Sequence, residues 1–353
     1  MKTSSLMTSV AKRLPSLLPA LLLAACSSQS DLPAGVTLTG HTMGTSYSIT
    51  LADKPADISP DVLQTEIDTR LEAINAEMST YIDDSVISTF NHTDTTDWFP
   101  VSADFADLVS VSLEISQATE GAYDVTLGPL VDLWGFGGGS EQGEDRIPSA
   151  QEIEATRART GYDKLSSRAE PSAIRKDHGD LEIDLSSIAK GYGVDEIAGL
   201  LEQHGVSDYL VEIGGELRVK GHSPRGDAWK IAVEKPDAGQ QSVQRVISVG
   251  DRAIATSGDY RNYFEKDGKR YSHTIDARSG RPVINRLASV TVLADRAALS
   301  DGWATALMAL GEARAPAVAE KNELAAYFII KADEGFRLVE TPAFTALTSA
   351  NTQ

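Results

Sequence analysis

The order in which strand-like and helix-like patterns follow one another most constrains the fold of this chain. Residues 36–51 alternate enough to predict two strands around a turn at Met43-Gly44. Ser59-Pro60 opens a predicted helix, whereas residues 209–293 show mostly short strand patterns. Because strands and helices are mixed without strict alternation, the pattern predicts an α+β fold rather than a doubly wound one.

Local capping and turn signals predict the remaining elements. In chain order they are a helix from Ser102, a short helix after the capping-box sequence Ser149-Ala150-Gln151-Glu152, a hairpin over 174–184 around His178-Gly179, a helix over 187–204 ended by Gly205, a helix over 299–310 ended by Gly311, and two strands over 325–330 and 336–339. No internal repeat interrupts this order.

The chain is strongly acidic. Among its 353 residues, 51 Asp and Glu outnumber 32 Lys and Arg, which gives a formal net charge of -19. This balance argues against a nucleic acid partner, because nucleic acid phosphates need a basic face. A polyphosphate ligand would likewise need a metal ion or a focused local cation. With 41% hydrophobic residues, the chain can bury one large core or two smaller ones.

The N-terminal segment has the pattern of a secretion signal. A basic start is followed by a short apolar stretch over 14–25, which is too short to span a membrane as a helix. The stretch ends in Leu23-Ala24-Ala25-Cys26 and resembles a bacterial lipobox, in which the cysteine is lipidated; Cys26 is the only cysteine of the chain. The alternative is an ordinary signal peptide with a chance cysteine. We expect a signal peptide over 1–25, a lipid-anchored tether over 26–34, one catalytic domain over 35–345 and a tail over 346–353.

Several common catalytic motifs are absent. Residues 190–196 begin like a dinucleotide-binding fingerprint, but Glu196 stands where the third glycine belongs. No Walker A loop, zinc-binding cluster or nucleophile elbow is present in the sequence.

Two short sequence patterns indicate candidate binding sites, one for a metal ion and the other for a phosphate group. Asp301 and Thr305 are four residues apart on a predicted helix, so their oxygens project from one face and could bind Mg²⁺. The alternative is a helix-face Asp near a Thr that bonds back to its own helix. Lys190 lies just inside a helix start, where it and the helix amides could face an anion. Its alternative is an exposed surface lysine.

Two ring-bearing side chains have patterns that suit ligand binding or catalysis: Tyr81 suits a planar ligand, and His273 suits proton transfer. Tyr81 follows a predicted helix end and could stack on a planar ring, although a half-buried core tyrosine is the commoner outcome. His273 lies in a strand-like run beside Ser272 and Asp276, and an imidazole can accept a proton from a hydroxyl nucleophile. The alternative is a structural strand histidine.

Ordered motifs over residues 40–311 resemble the ApbE family of flavin transferases. They are His41-Thr42-Met43-Gly44-Thr45, Met78-Ser79-Thr80-Tyr81, Gly121-Ala122-Tyr123-Asp124-Val125-Thr126, Asp184-Leu185-Ser186-Ser187-Ile188-Ala189-Lys190-Gly191-Tyr192, Ala255-Thr256-Ser257-Gly258-Asp259-Tyr260, Ser272-His273-Thr274-Ile275-Asp276 and Asp301-Gly302-Trp303-Ala304-Thr305. The resemblance implies mixed, mostly antiparallel sheets with flanking helices, and two lobes with an FAD cleft between them.

The resemblance also implies the roles of individual residues. It assigns Mg²⁺ to Asp301, Thr305 and the main-chain carbonyl of Ser187, and catalysis to His273 and Asp301. It assigns FAD to a set of eight residues: Met43, Tyr81, Ala122, Tyr123, Asp124, Asp184, Lys190 and Ile275. The chain departs from the family pattern at Ala304, where relatives often carry Asp or Ser, and at Ala277, where they carry Pro.

The implied activity is FAD:protein FMN transfer. The FMN half of FAD would move, with Mg²⁺, onto a Thr or Ser hydroxyl of an acceptor flavoprotein, and AMP would leave. Acceptors would be subunits of membrane redox complexes with a Ser/Thr-Gly-Ala-Thr-like site. The alternatives are an FAD pyrophosphatase that yields FMN and AMP, and a non-catalytic FAD-binding lipoprotein. We expect a membrane lipoprotein that faces the periplasm, with the inner or outer membrane left open.

Overall fold

The computed structural model describes residues 35–350, apart from 54, 56, 138–146, 237–241, 259–262 and 267–268. Its helices are α1 (Pro60–Met78), α2 (Val86–His92), α3 (Ala103–Ala118), α4 (Gly128–Leu133), α5 (Ala150–Arg157), α6 (Ala189–Gln203), α7 (Ala297–Lys321) and α8 (Pro342–Ala350). Its strands are β1 (Val36–Thr42), β2 (Thr45–Leu51), β3 (Phe99–Pro100), β4 (Leu165–Arg168), β5 (Ala173–Lys176), β6 (Tyr209–Ile213), β7 (Glu216–Lys220), β8 (Ile231–Glu234), β9 (Val243–Ile247), β10 (Ala253–Gly258), β11 (Tyr263–Lys266), β12 (Lys269–Ser272), β13 (Ile275–Asp276), β14 (Arg281–Pro282), β15 (Leu287–Ala294), β16 (Ala325–Lys331) and β17 (Phe336–Glu340).

An eight-stranded sheet with the order β1-β2-β6-β7-β10-β15-β16-β17 organises the described chain, and every neighbouring pair in it is antiparallel. Smaller antiparallel pairings join β3, β5 and β4, and pair β8 with β9, β11 with β12 and β13 with β14. The fold class predicted from the sequence is therefore confirmed: α+β, with mostly antiparallel sheets and flanking helices.

Helices cover the sheet with continuous apolar faces. The predicted inward face of α1 is buried and packs into a core shared with α3 and α6. Helix α7 packs on β10, β15 and β16, while α8 closes the other side of β16 through the buried Phe344. Each of α1, α3 and α5 begins where the sequence predicts, because Ser59, Ser102 and Ser149 cap the first turn with their hydroxyls.

The hairpin predicted over 174–184 is wrong. Strand β5 pairs instead with β4 and β3, and the chain after it runs irregularly to α6. Long-range contacts hold that irregular segment: the Asn91 amide exchanges two hydrogen bonds with the backbone of Ile183, at 2.9 and 2.8 Å. The ammonium of the buried Lys176 donates to the carbonyls of Phe90 and Leu181, at 3.1 and 3.0 Å.

Two further boundaries differ from the sequence prediction. Gly311 interrupts the helix with φ 70°, but helical structure resumes beyond it as far as Lys321. The C-terminal tail predicted from 346 begins inside α8, so the domain boundary at 345 falls within a helix. The chain from Pro33 onward forms one compact unit, and the division of the catalytic domain into two lobes stays a prediction.

The predicted signal peptide, the tether and Cys26 lie outside the described residues. Among the residues that are described, no helix is long and apolar enough to cross a membrane.

Candidate functional site

A cavity of about 400 Å³ lies where the start of α6, helix α7 and the end of β10 meet. Its lining includes ten residues that the sequence predicts for the site: Ala122, Tyr123, Asp124, Asp184, Ser187, Lys190, His273, Ile275, Asp301 and Thr305. It also includes residues outside that set: Val125, Leu127, Gly128, Val131, Ser186, Gly214, Glu216, Thr256, Ser257, Gly258, Thr274, Met308 and Ala309. Folding thus brings together residues from motifs that lie far apart in the sequence.

Helices α6 and α7 approach each other closely at Gly191. A Cβ added to Gly191 would lie 2.3 Å from the carbonyl oxygen of Ala297, so only glycine fits there. One turn further along α6, the Asp195 carboxylate accepts the N–H groups of Ala297 and Ala298 at 2.8 and 3.0 Å. Asp195 therefore caps α7 from a neighbouring helix, and the register between the two helices is fixed.

Asp301 lies at this junction and is only 3% exposed. Its Oδ2 accepts a hydrogen bond from the Gly191 N–H at 3.0 Å and lies 3.7 Å from the Lys190 Nζ. Burial raises the pKa of Asp301, while Lys190 and the Gly191 N–H act in the opposite direction. The carboxylate is thus oriented toward the cavity by the backbone of one helix and the ammonium beside it.

The Lys190 ammonium lies between two buried carboxylates. Besides Asp301, it is 3.6 Å from Oε1 of Glu216, and it approaches the Ser186 carbonyl at 3.5 Å. Burial alone would lower the pKa of Lys190, but the two carboxylates outweigh it and raise that pKa. Lys190 is therefore a fully charged cation in an otherwise acidic protein, at the wall of the cavity.

Glu216 is the main site residue that sequence reasoning missed. It is 6% exposed, and burial, followed by the charge of Asp301, raises the pKa of its carboxyl to about 8. A cation or a hydrogen-bond donor that joined the site would favour the ionised form. The available signal was the Gly214-Gly215 pair: both glycines have positive φ, and the turn they form directs Glu216 to the cavity.

The segment that precedes α6 builds another part of the cavity wall. The Ser187 hydroxyl donates to the Tyr123 hydroxyl at 2.9 Å, and Oδ1 of Asp184 accepts the Ser186 N–H at 2.8 Å. Burial raises the pKa of Tyr123, so its hydroxyl stays protonated. Asp184 is tied to the neighbouring loop because its own N–H donates to the Val125 carbonyl at 2.7 Å.

The Asp124 carboxylate orders its own loop. Oδ1 accepts from both the N–H and the hydroxyl of Thr126, at 2.8 and 2.7 Å, and Oδ2 accepts from the Tyr162 N–H at 2.9 Å. Burial raises the pKa of Asp124, and the hydrogen bonds from Thr126 oppose that rise. Asp124 lines the cavity, but both of its carboxylate oxygens already accept hydrogen bonds from Thr126 and Tyr162.

The prediction that amides of the first turn of α6 face an anion is wrong for two of them. The Ala189 N–H donates to the Leu185 carbonyl at 2.8 Å, and the Gly191 N–H donates to Asp301. Both N–H groups therefore already donate hydrogen bonds within the protein. An anion at this junction would interact with the Lys190 ammonium instead.

The residues predicted to hold Mg²⁺ all line the cavity. Asp301 and Thr305 line it from successive turns of α7, and Ser187 lines it from the segment that precedes α6. Carboxylate, hydroxyl and carbonyl oxygens are a donor set that suits Mg²⁺. No group of three or more His, Cys, Asp or Glu that could hold a metal is found within the described ranges. Ala304 is fully buried among apolar side chains and does not line the cavity, so it offers no ligand.

Two predicted flavin contacts lie outside the cavity lining. Tyr81 is 72% exposed, and burial followed by the charges of Asp184 and Asp132 raises its pKa. Tyr81 therefore lies near the Asp184 side of the site rather than inside it. Met43 has φ 49° at the β1–β2 turn and packs against the core beside Gly193 of α6.

His273 lines the cavity, with its ring edge-on to Phe136 at 6.4 Å between centroids. The Asp276 carboxylate accepts hydrogen bonds from Arg278 and Ser279, at 3.1 and 3.2 Å.

Solved structures share this architecture. The flavin transferase ApbE from Vibrio cholerae matches with a TM-score of 0.83 at 46% identity, covering 89% of this chain and 99% of that one. The apo form of Pseudomonas stutzeri flavinyl transferase ApbE matches with a TM-score of 0.79 at 39% identity, covering 89% and 97%. The fold and its cavity therefore define a protein of the flavin transferase structural class.

Sequence comparison agrees with the structural one. The FAD:protein FMN transferase of Vibrio cholerae serotype O1 is 47% identical over 329 residues, which cover 93% of this chain and 96% of that protein. The Haemophilus influenzae protein of the same name is 43% identical over 334 residues, covering 93% and 95%. Residues 43–328 match the ApbE family model. The chain belongs to the ApbE family.

Proposed function

We propose that this chain is an FAD:protein FMN transferase. The observation that carries the proposal is the Lys190 ammonium held between Glu216 and Asp301 on the wall of a cavity. A focused cation is what a pyrophosphate requires in a chain of net charge -19. Membership of the ApbE family, whose sequence relatives bear this enzyme name, supports the same activity.

The cavity offers FAD both polar and apolar surfaces. Lys190 would meet the pyrophosphate, and Asp184, which also lines the cavity, would hold another part of the ligand. Apolar side chains, among them Leu127, Val131 and Ile275, line the same cavity and suit a flat ring. Tyr81, at the Asp184 side, is exposed enough to stack on the flavin as it binds. Ala122, Tyr123, Asp124 and Met43 complete the proposed FAD contacts.

Mg²⁺ would be held by the Asp301 carboxylate, the Thr305 hydroxyl and the Ser187 carbonyl. When bound there, it would neutralise charge on the phosphoanhydride of FAD. The Ser257 hydroxyl lies 3.4 Å from the Thr305 hydroxyl and can orient it. Because Ala304 contributes no ligand, water would fill the remaining positions.

The chemical step exchanges one phosphorus–oxygen bond for another. A threonine or serine hydroxyl of the acceptor attacks the FMN phosphorus, and the bond from that phosphorus to the AMP oxygen breaks. His273 accepts the hydroxyl proton, and Lys190 stabilises negative charge on the leaving AMP. The product is a phosphoester-linked flavoprotein together with AMP.

The cellular setting is part of the proposal. The lipobox ending in Cys26 favours a lipid-anchored enzyme on the periplasmic side of a bacterial membrane. Its acceptors would then be flavoprotein subunits of membrane redox complexes.

Product stoichiometry tests the proposed activity against FAD hydrolysis. The protein is incubated with FAD and Mg²⁺, with and without an acceptor that bears the threonine site, and AMP and free FMN are measured. We expect AMP release to match the flavin attached to the acceptor, with little free FMN. Equimolar AMP and FMN without acceptor, at the same rate as with it, would identify a hydrolase instead. An acceptor with valine in place of the threonine is the matched control.

A further inference from the structure

Glu216 is buried at the start of β7 with one carboxylate oxygen unsatisfied. Oε1 faces the Lys190 ammonium at 3.6 Å, whereas Oε2 has no hydrogen-bond partner among the described residues. A buried polar oxygen left alone costs free energy, and native proteins rarely leave one without a partner. Because Glu216 lines the cavity, a ligand in the cavity can supply the missing donor.

The position of Glu216 indicates which part of a ligand it meets. Lys190 lies between Oε1 of Glu216 and Oδ2 of Asp301, so Glu216 is beside the cation that would bind the pyrophosphate. A carboxylate repels phosphate oxygens but accepts a hydrogen bond from a hydroxyl. In FAD the groups that adjoin the pyrophosphate are the ribityl chain on one side and the ribose on the other, and both carry hydroxyls.

We propose that Glu216 is a substrate-binding residue. Its Oε2 accepts a hydrogen bond from a sugar or sugar-alcohol hydroxyl next to the FAD pyrophosphate, while Oε1 orients the Lys190 ammonium. The inference rests on the proposed function, because it assumes that FAD lies against Lys190. It adds a recognition element that separates FAD from a bare pyrophosphate, which has no such hydroxyl.

Binding measurements on Glu216→Gln test this contact. The amide keeps one oxygen for Lys190 but removes the second acceptor, so the hydroxyl is left facing an N–H group. We expect FAD affinity to fall about ten- to a hundredfold, the range for a hydrogen bond to a charged group. Inorganic pyrophosphate with Mg²⁺ contacts Lys190 but carries no sugar hydroxyl. Its affinity should not fall, because the variant removes an acidic group beside the anion and no hydrogen bond to it.

The matched control is Glu212→Gln. Glu212 accepts the Gly215 N–H at 2.6 Å and supports the same turn, but it does not line the cavity. This variant makes the same chemical change, and its amide oxygen can still accept the Gly215 N–H, so it should bind FAD like the wild type. Thermal unfolding of each variant verifies that it is folded. Should Glu216→Gln not fold, Glu216→Asp takes its place, since it keeps the charge but withdraws the oxygens by one methylene.

Two results would overturn the inference. One is an unchanged FAD affinity in the folded Glu216 variant. The other is a parallel loss of FAD and pyrophosphate affinity, which would mean that Glu216 acts only through Lys190. Failure of the proposed function is a separate outcome, because the wild-type protein would then not transfer FMN or would not bind FAD at all.

Discussion

The backbone N–H of Gly191 donates a hydrogen bond to Oδ2 of Asp301 at 3.0 Å and so joins α6 to α7. The contact fixes the carboxylate proposed for Mg²⁺ relative to Lys190, which directly precedes Gly191 in α6. The same closeness leaves no room for a side chain at Gly191. The close packing of α6 against α7 therefore also determines where the Asp301 carboxylate lies in the site.

Gly191→Ala should destabilise the protein. The new Cβ would meet the Ala297 carbonyl oxygen at 2.3 Å and its carbon at 2.5 Å, so the helices must separate. We expect a loss of about 1–3 kcal/mol in the free energy of unfolding, measured by denaturant titration, and weaker FAD binding. Gly199→Ala on the same helix is the control. A Cβ there meets nothing within 4 Å, and it should gain up to about 1 kcal/mol. Equal effects of the two substitutions would contradict the close approach.

Asp301→Ala should remove the dependence of activity on Mg²⁺ together with most of the activity. Charge stabilisation by a metal is worth several kcal/mol, so the rate of acceptor labelling should fall by at least about a hundredfold. The measurement is a Mg²⁺ titration of that rate for wild type and variant. Asp295→Ala makes the same charge change at a residue that is 79% exposed outside the site, and it should behave like wild type. Undiminished labelling by Asp301→Ala, or full wild-type activity in excess chelator, would disprove the metal site.

His273→Asn should spare folding and FAD binding while slowing the chemical step. Removal of a general base typically costs about 10²–10⁴-fold in rate. Single-turnover labelling of the acceptor, at saturating FAD, separates binding from chemistry. A folded His273→Asn protein that labels the acceptor at the wild-type rate would remove His273 from the mechanism.

Cys26→Ser should release the protein from membranes or leave its leader uncleaved. The serine hydroxyl cannot replace the thiol that receives the lipid. Fractionation of cells and the apparent mass of the product check this, with Ser28→Ala as the control within the same tether. Membrane fractionation and processing of Cys26→Ser identical to those of the control would contradict the lipobox.

Features set by a few neighbouring residues could be predicted from the sequence. Serine hydroxyls cap α1, α3 and α5 where the pattern places them, and the β1–β2 turn forms at Met43-Gly44. The segment after β5 could not be predicted, because its path depends on contacts of Asn91 with Ile183 and of Lys176 with Phe90, which lie far apart in the chain.

The candidate site shows the same difference between features set by neighbouring residues and features set by long-range contacts. The motifs predicted most residues that line the cavity, since each motif keeps its own spacing. Glu216 escaped notice because its importance comes from being buried beside Lys190, a residue that only the sheet brings near. Tyr81 and Met43 lie outside the lining for a comparable reason: their motifs say nothing about how far each loop is from the cavity.

The most direct test of the transferase proposal is the intact mass of an acceptor protein after incubation with this enzyme, FAD and Mg²⁺. We expect the acceptor to gain the mass of one FMN less one water, with fragmentation placing the group on a threonine or serine. The gain should be absent with Asp301→Ala. An acceptor of unchanged mass, in a reaction where the enzyme has bound FAD and split it into FMN and AMP, would contradict the transferase activity.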